Sequence, residues 1–130
     1  MRQSAMISII DDDESVRTAT ASLVRSLGLA TSLFASAEDF LNSEQLTCSD
    51  CVITDVQMPG MSGMELQVRL KASGNPVPVI VITAFPEERL RHQAMSAGAI
   101  GFLSKPFDGG EMVACLDRAL QDPQGQQVSL

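Results

Sequence analysis

The sequence has little positive charge, few cysteines and no long apolar run. Nine Lys and Arg stand against sixteen Asp and Glu among 130 residues, so the net charge is −7 and the pI is about 4.5. An acidic surface repels phosphate backbones, which disfavours binding of DNA or RNA by this chain alone. No apolar run approaches the roughly 20 residues that span a bilayer, and the apolar stretch near Met1 is too short for a signal peptide. We therefore expect no membrane contact and a cytoplasmic location.

The chain has three cysteines and one histidine. Three cysteines cannot form a complete disulfide framework. Cys48 and Cys51 have the spacing of a redox or zinc pair, but a zinc site needs four ligands. The remaining candidates, Cys115 and His92, lie far along the chain. We expect Cys51 to pack in a strand and Cys48 to lie in the loop before it. His92 is expected on the solvated face of a helix.

Hydrophobic residues make up 45% of the chain and the mean hydropathy is +0.12, which is enough for the core of one domain. Short apolar runs alternate five times with segments of helical periodicity. This pattern is typical of strand and helix units around a parallel sheet. The predicted strands are residues 6–10, 30–34, 51–54, 77–83 and 100–103.

Five helices are predicted between and after these strands. The first ends before Gly28 and the third before Gly74, because glycine commonly follows a helix. Ser36 opens a short second helix, and a polar loop leads from it to the third strand. The fourth helix covers residues 86–97, and Asp108 is expected to cap the last one.

Polar residues end or follow four of the predicted strands. In an open parallel sheet the functional crevice lies at the carboxyl ends of the strands. The residues at these ends are Asp11 and Asp12, Asp55, Thr83, and Lys105. Clustered carboxylates repel one another unless a cation binds between them, and Mg²⁺ takes oxygen ligands of this kind. The sequence therefore predicts a magnesium site at this edge, whereas Asp13 and Glu14 are assigned to the solvated start of a helix.

A carboxylate held by a metal beside a lysine and a hydroxyl is also a site for phosphoryl transfer. In this interpretation Asp55 is the nucleophile, and Asp11 and Asp12 hold the metal. Lys105 pairs with the incoming phosphoryl group, and Thr83 donates a hydrogen bond to it.

Four stretches resemble the receiver domain of two-component response regulators, over about residues 5–120. They are 9–14 (IIDDDE), 54–63 (TDVQMPGMSG), 82–84 (ITA) and 97–107 (AGAIGFLSKPF). The resemblance implies an α/β, flavodoxin-like fold: a five-stranded parallel sheet of order 2-1-3-4-5 with helices on both faces. It also implies that a sensor histidine kinase donates a phosphoryl group to Asp55. The chain would then be a self-phosphorylating phosphoacceptor with autodephosphorylation, not a turnover enzyme.

The resemblance adds a ligand set for the cation. Asp12 would contact Mg²⁺ directly, Asp11 largely through water, and Gln57 through its backbone carbonyl, with Asp55 completing the metal site. Mn²⁺ takes the same oxygen ligands and can replace Mg²⁺.

The resemblance also assigns the phosphoryl contacts and a switch. Thr83, Ala84 and Lys105 would contact the phosphoryl group, and the bond between Lys105 and Pro106 would be cis. Because Phe102 is two residues beyond Ile100, we expect both on one strand face. Phe102 would swing into the space that Thr83 leaves when it moves toward the phosphoryl group, although it can also be a plain core aromatic.

The switch would change the surface formed by the fourth predicted helix, the fifth strand and the fifth predicted helix. An output partner, or a second copy in a homodimer, would select the changed form. Residues 102–107 are similar to the FixJ-like group, whose members usually carry a C-terminal helix-turn-helix domain. We place the receiver at residues 1–122 and a flexible tail or linker stump at 123–130. Whether the chain stands alone or belongs to a longer regulator stays open.

Two other functions are considered. A Mg²⁺-dependent phosphatase could use Asp55 as its nucleophile, but Gln57 stands where such an enzyme needs a general acid. A degenerate receiver would act only as a binding module, independent of phosphorylation, and the five acidic, hydroxyl and lysine positions disfavour it.

Overall fold

The computed structural model describes residues 5–121. The strands are β1 Met6–Ile10, β2 Ala30–Phe34, β3 Cys51–Asp55, β4 Val79–Thr83 and β5 Gly101–Ser104. The helices are α1 Glu14–Ser26, α2 Ala37–Leu41, α3 Gln45–Cys48, α4 Gly63–Ala72, α5 Glu88–Ser96 and α6 Gly109–Leu120. All strand pairs are parallel and the order is β2-β1-β3-β4-β5, so the predicted topology is confirmed. The predicted tail, 123–130, lies outside the described residues.

Helices cover both faces of the sheet, and alternate residues of each central strand face opposite ways. Ile53 and Ile82 pack on one face against residues of α1 and α6. Val52 and Val81 pack on the other face against residues of α2, α4 and α5. Every residue of β3 and β4 is buried, which explains why both strands are almost continuously apolar. Within residues 5–121, none of the helices has the length and apolar character needed to cross a membrane.

The fourth strand begins later than the sequence predicts. The prediction starts it at residue 77, whereas β4 begins at Val79. Pro78 has no N–H to donate to a neighbouring strand, and only its carbonyl contributes, accepting from the Val52 N–H at 2.9 Å. The other predicted strands differ from the observed ones by one residue or not at all.

Of the two predicted helix caps, the one at Ser36 is present and the one at Asp108 is not. The Ser36 hydroxyl accepts from the Asp39 N–H at 3.0 Å, and Asp13 accepts from the first turn of α1. The prediction that Asp108 caps the last helix is wrong in part: Asp108 precedes α6, but among the described residues its carboxylate accepts no capping hydrogen bond. The first turn is instead closed by the Met112 N–H on the Asp108 backbone carbonyl at 3.2 Å.

The segment predicted as a polar loop before β3 contains a further short helix, α3. Cys48 is therefore the last residue of a helical turn and not part of a loop, although it is exposed as a loop residue would be. Tertiary contacts hold this turn, since the Asn75 side chain donates to the Leu46 carbonyl at 2.9 Å. Cys51 is buried in β3 as predicted, and burial raises the pKa of its thiol to about 12.

Candidate functional site

Asp55 is the last residue of β3, a strand whose residues are all buried. The residue is 5% exposed, and its Oδ1 accepts from the Val56 N–H at 2.8 Å. This bond fixes the carboxylate plane and leaves Oδ2 toward Lys105, whose Nζ is 3.1 Å away. The fold thus fixes Oδ1 of Asp55 by a backbone hydrogen bond and directs Oδ2 toward Lys105.

Lys105 reaches the site from the loop between β5 and α6. Its Nζ lies 3.0 Å from Asp11 Oδ2 and 3.1 Å from Asp55 Oδ2, so one ammonium bridges two carboxylates. The Lys105 N–H also donates to the Thr83 carbonyl at 2.8 Å, which ties the loop to the end of β4. The peptide bond between Lys105 and Pro106 is cis, as expected.

Asp11 and Asp12 complete the acidic group at the end of β1. Asp11 is fully buried and its Oδ1 accepts from the Asp13 N–H at 2.9 Å, whereas Asp12 is exposed. The guanidinium of Arg17, one turn into α1, donates to the Asp11 backbone carbonyl at 2.6 Å. Arg17 therefore fixes the backbone from which both carboxylates project.

Burial and the neighbouring charges shift the pKa values of Asp55 and Lys105. Burial raises the pKa of Asp55 above its ordinary value, with a smaller contribution from the charge of Asp11, while the hydrogen bond from Lys105 opposes it. Burial alone would lower the pKa of Lys105, but its bonds to Asp11 and Asp55 outweigh this and raise it. Lys105 is therefore fully charged at neutral pH. Burial of the ionised Asp55 lowers the stability of the folded domain.

The residues present fit a magnesium ion. Asp11, Asp12 and Asp55 each offer a carboxylate oxygen, and these atoms lie within 4.8 Å of one another. Three carboxylates face a single ammonium group, which leaves negative charge uncompensated. Oxygen donors and an exposed Asp12 on the solvent side match a hard cation that keeps several waters. Among the described residues no other cluster of acidic, histidine or cysteine side chains has this spacing.

Gly63 allows the loop after β3 to lie against the strand that carries Asp55. A Cβ on this glycine would overlap the backbone carbonyl oxygen of Asp55 and would lie 3.3 Å from Thr54 Cγ2. The glycine N–H also donates to the Val56 carbonyl at 3.0 Å. The position of Asp55 therefore depends on the absence of a side chain at Gly63.

We expect Gly63→Ala to destabilise the domain by about 1–3 kcal/mol, because the backbone of Asp55 must move. Urea denaturation measures this. Gly109→Ala is the matched control, since a Cβ there meets nothing closer than 3.9 Å and alanine favours the helix. An unchanged midpoint for Gly63→Ala would show that the close approach is not limiting.

Thr83 is buried and makes two hydrogen bonds at the end of β4. Its hydroxyl donates to Gln57 Oε1 at 3.0 Å and accepts from the Phe85 N–H at 3.0 Å. Ala84, the next residue, is exposed. The sequence predicts the hydroxyl as a donor, but not that the side chain of Gln57 is its acceptor.

Phe102 packs on a different face from the one that Ile100 contacts, so the predicted shared face is wrong. Ile100 contacts the cluster beneath α1 and α6, and Phe102 contacts the cluster on the opposite side. Ile100 precedes β5, which begins at Gly101, so strand alternation does not apply to it. Phe102 pairs with Val81, and by alternation it shares the face of Thr83.

The Phe102 side chain is only half-buried and borders open space. It lines a cavity of about 230 Å³ together with Glu88 and Arg91 of α5 and Glu111 of α6. The ring is therefore neither a fully enclosed core residue nor a surface residue.

The structure also contains a loop contact that the sequence gives no signal for. Glu38 of α2 accepts from the Met61 N–H at 2.9 Å, and this bond lowers the pKa of the Glu38 carboxyl. Its partner is 23 residues away in the chain. No local pattern links such residues, since only the fold brings α2 to the loop that follows β3.

The comparisons with known proteins agree with the fold and show the family. Residues 7–117 match the response regulator receiver domain family, and the chain belongs to this family. It is 40% identical to the response regulator protein TodT of Pseudomonas putida over 119 residues, which cover 92% of this chain and 52% of TodT.

Two further relatives belong to the FixJ group. The chain is 40% identical to the transcriptional regulatory protein FixJ of Azorhizobium caulinodans over 129 residues, 98% of this chain and 61% of FixJ. The crystal structure of FixJ-N is similar with a TM-score of 0.82 and 34% identity, covering 92% of this chain and 95% of that one. The chain spans about half the length of the first curated relatives it matches. It is thus a FixJ-like receiver domain of a two-component response regulator.

Proposed function

We propose that the chain takes a phosphoryl group from a sensor histidine kinase onto Asp55. The observation that carries the proposal is the ammonium of Lys105 bridging Asp55 and Asp11 beside an acidic group that fits Mg²⁺. A buried nucleophile, a fixed cation and a metal site are the parts that phosphoryl transfer requires.

In the proposed reaction a carboxylate oxygen of Asp55 attacks the phosphorus of a phosphohistidine. The new bond is O–P, the N–P bond breaks, and its electron pair goes to the imidazole, which takes up a proton. Lys105 neutralises charge on the phosphoryl oxygens, and Thr83 donates a hydrogen bond to them. The exposed residue Ala84 would also contact them. Bound Mg²⁺, held by Asp11, Asp12, Asp55 and the Gln57 carbonyl, would offset the repulsion between the carboxylate and the incoming anion. Water later hydrolyses the acyl phosphate and restores Asp55.

The product of this reaction is a chain that carries one phosphoryl group, on Asp55. We therefore propose a phosphoacceptor, not a turnover enzyme. The output surface consists of α5, β5 and α6, where Phe102 lines the cavity beside Glu88 and Glu111. A homodimer or an output partner would bind this surface in the phosphorylated form. The output would be control of transcription if a DNA-binding domain follows, since the similar protein FixJ is a transcriptional regulatory protein.

A phosphotransfer assay tests the proposal. The purified protein is incubated with acetyl phosphate, with and without Mg²⁺, and its intact mass is measured. A single phosphoryl group that forms only with Mg²⁺ is expected. Continuous turnover of small phosphate esters would indicate a phosphatase instead, and no labelling would indicate a binding module; either result would overturn the proposal.

Mg²⁺ is also expected to raise the melting temperature, because the cation relieves the repulsion among the three carboxylates. A ligand at 100 times its Kd stabilises the folded state by about 2.7 kcal/mol. Differential scanning fluorimetry should show that Asp12→Ala loses most of the shift, whereas Asp117→Ala, which changes an exposed aspartate of α6, keeps it. Equal shifts in both variants would show that Asp12 is not a metal ligand.

A further inference from the structure

We propose that the side-chain amide of Gln57 restrains the switch by holding the Thr83 hydroxyl in its unphosphorylated position. This inference rests on the proposed function, because the restraint matters only if Asp55 receives a phosphoryl group. Gln57 would then be a positioning residue, which acts on the phosphoryl site through Thr83. Its backbone carbonyl has the separate proposed task of holding the metal.

The argument begins with the single proton of the Thr83 hydroxyl. That proton is directed at Gln57 Oε1, 3.0 Å away. A hydroxyl donates one hydrogen bond, so it cannot serve Gln57 and a phosphoryl oxygen at the same time. Donation to the phosphoryl group therefore requires that the bond to Gln57 breaks.

Gln57 and the phosphoryl group compete for the proton of the Thr83 hydroxyl. The outcome depends on the different surroundings of Thr83 and Gln57. Thr83 is fully buried, so without Gln57 its proton has no bulk water to turn to. Gln57 is exposed, and its amide recovers hydrogen bonds from water when Thr83 leaves. The bond is thus worth a net factor of about 2 to 12 in the switching equilibrium, which is the range for a neutral hydrogen bond in a protein.

A second bond connects the same hydroxyl to the loop before α5. Thr83 Oγ1 accepts from the Phe85 N–H at 3.0 Å. This bond holds the backbone of Phe85, which lies two residues further along the chain. When Oγ1 turns toward Asp55, this N–H loses its acceptor. Phe85 is 63% exposed, so little packing opposes a movement of the loop. Release of Thr83 from Gln57 would therefore free the loop that leads into α5.

The test compares Gln57→Met with wild type, because methionine keeps the length of the side chain and removes the hydrogen-bonding amide. Beryllofluoride, which mimics a phosphoryl group on a carboxylate, is titrated at saturating Mg²⁺, and the ring resonances of Phe102 report the switch by NMR. We expect Gln57→Met to switch at about 2- to 12-fold lower beryllofluoride. The Mg²⁺ affinity of each variant is measured separately, so that an effect on the metal is recognised.

A double-mutant cycle shows whether the effect passes through the hydroxyl. Thr83→Val keeps the shape of the side chain and removes its proton. In that background, Gln57→Met should leave the beryllofluoride affinity unchanged. An equal gain with and without the hydroxyl would overturn the proposal, because Gln57 would then act through sterics or the metal.

The amide resonance of Phe85 gives an independent readout. In wild type, beryllofluoride should shift this resonance and speed its hydrogen exchange, since the N–H loses its acceptor; in Gln57→Met part of the change should be present before beryllofluoride is added. If wild type responds to beryllofluoride and Gln57→Met has the wild-type affinity, only the restraint is refuted. If wild type itself shows no Mg²⁺-dependent response, the proposed function fails and the restraint fails with it.

Discussion

Asp55→Asn is expected to abolish phosphorylation completely and, without metal, to make the domain more stable at neutral pH. Phosphorylation is lost because the neutral amide of Asn lacks the negative charge that makes a carboxylate oxygen nucleophilic. The shape of the side chain and its bond from the Val56 N–H are retained, so the loss cannot come from unfolding. Intact mass after incubation with acetyl phosphate and Mg²⁺ measures this effect.

The gain in stability follows from the raised pKa of Asp55. Because burial disfavours its ionised form, the carboxyl contributes most to stability below the ordinary aspartate pKa of about 3.9, and that contribution is lost as pH rises through the raised value. The Asn variant has no such titration. Its melting temperature should therefore match that of wild type at low pH and exceed it at neutral pH. Each gain of about 1 kcal/mol in the free energy of unfolding raises the melting temperature by roughly 2–8 °C.

Asp117→Asn is the matched control, since it changes an exposed aspartate on α6. It should still be phosphorylated at Asp55. Added Mg²⁺ should reverse the order of wild type and Asp55→Asn, because the variant lacks one proposed ligand. Labelling of Asp55→Asn would refute the assignment of the phosphoacceptor.

The sheet could be predicted from the sequence because burial on both faces leaves a direct mark on composition. β3 and β4 are covered by helices on each side, and their residues are accordingly apolar except near the ends, at Thr54, Asp55 and Thr83. The short helix α3 leaves no such mark. It has four residues and no buried one, so neither periodicity nor hydrophobicity separates it from a loop.

The strand-end rule explains why the acidic and lysine positions could be named in advance. Asp11, Asp55 and Lys105 each follow an apolar run, and a parallel sheet brings those ends to one edge. The roles assigned to them remain proposals, as do those of Asp12, Thr83, Ala84 and Gln57. What the sequence could not supply is the network around them. The acceptor that Thr83 uses depends on where the side chain of Gln57, in the loop after β3, lies relative to the end of β4.

The prediction that Phe102 shares a strand face with Ile100 is wrong for a related reason. Alternation holds only within a strand, and the sequence did not define whether β5 begins at residue 100 or 101. The register of β5 on β4, with Phe102 beside Val81 and Ser104 beside Thr83, decides the matter. The register places Phe102 on the Thr83 face, which the proposed switch requires.

Thr83→Ala is expected to separate phosphorylation from its consequence. Asp55, Lys105 and the metal ligands are untouched, so the variant should still take up beryllofluoride in the presence of Mg²⁺. It lacks the hydroxyl that would move toward the phosphoryl group, and a hydrogen bond to a charged group is worth about 1.5–3 kcal/mol. The shift toward the switched form should therefore be about 10- to 150-fold smaller than in wild type.

Two measurements together make this a test of the switch. NMR of the Phe102 ring reports the local change, and sedimentation velocity reports association through α5, β5 and α6, each with and without beryllofluoride. Thr83→Ser is the matched control, because it keeps the hydroxyl and removes only a methyl group. A ligand shifts an equilibrium only by its different affinity for the two forms, so the comparison must be of responses and not of resting states. If Thr83→Ala responds as strongly as wild type and Thr83→Ser, the link from Thr83 to Phe102 is not the switch, and the signal must leave Asp55 by another path.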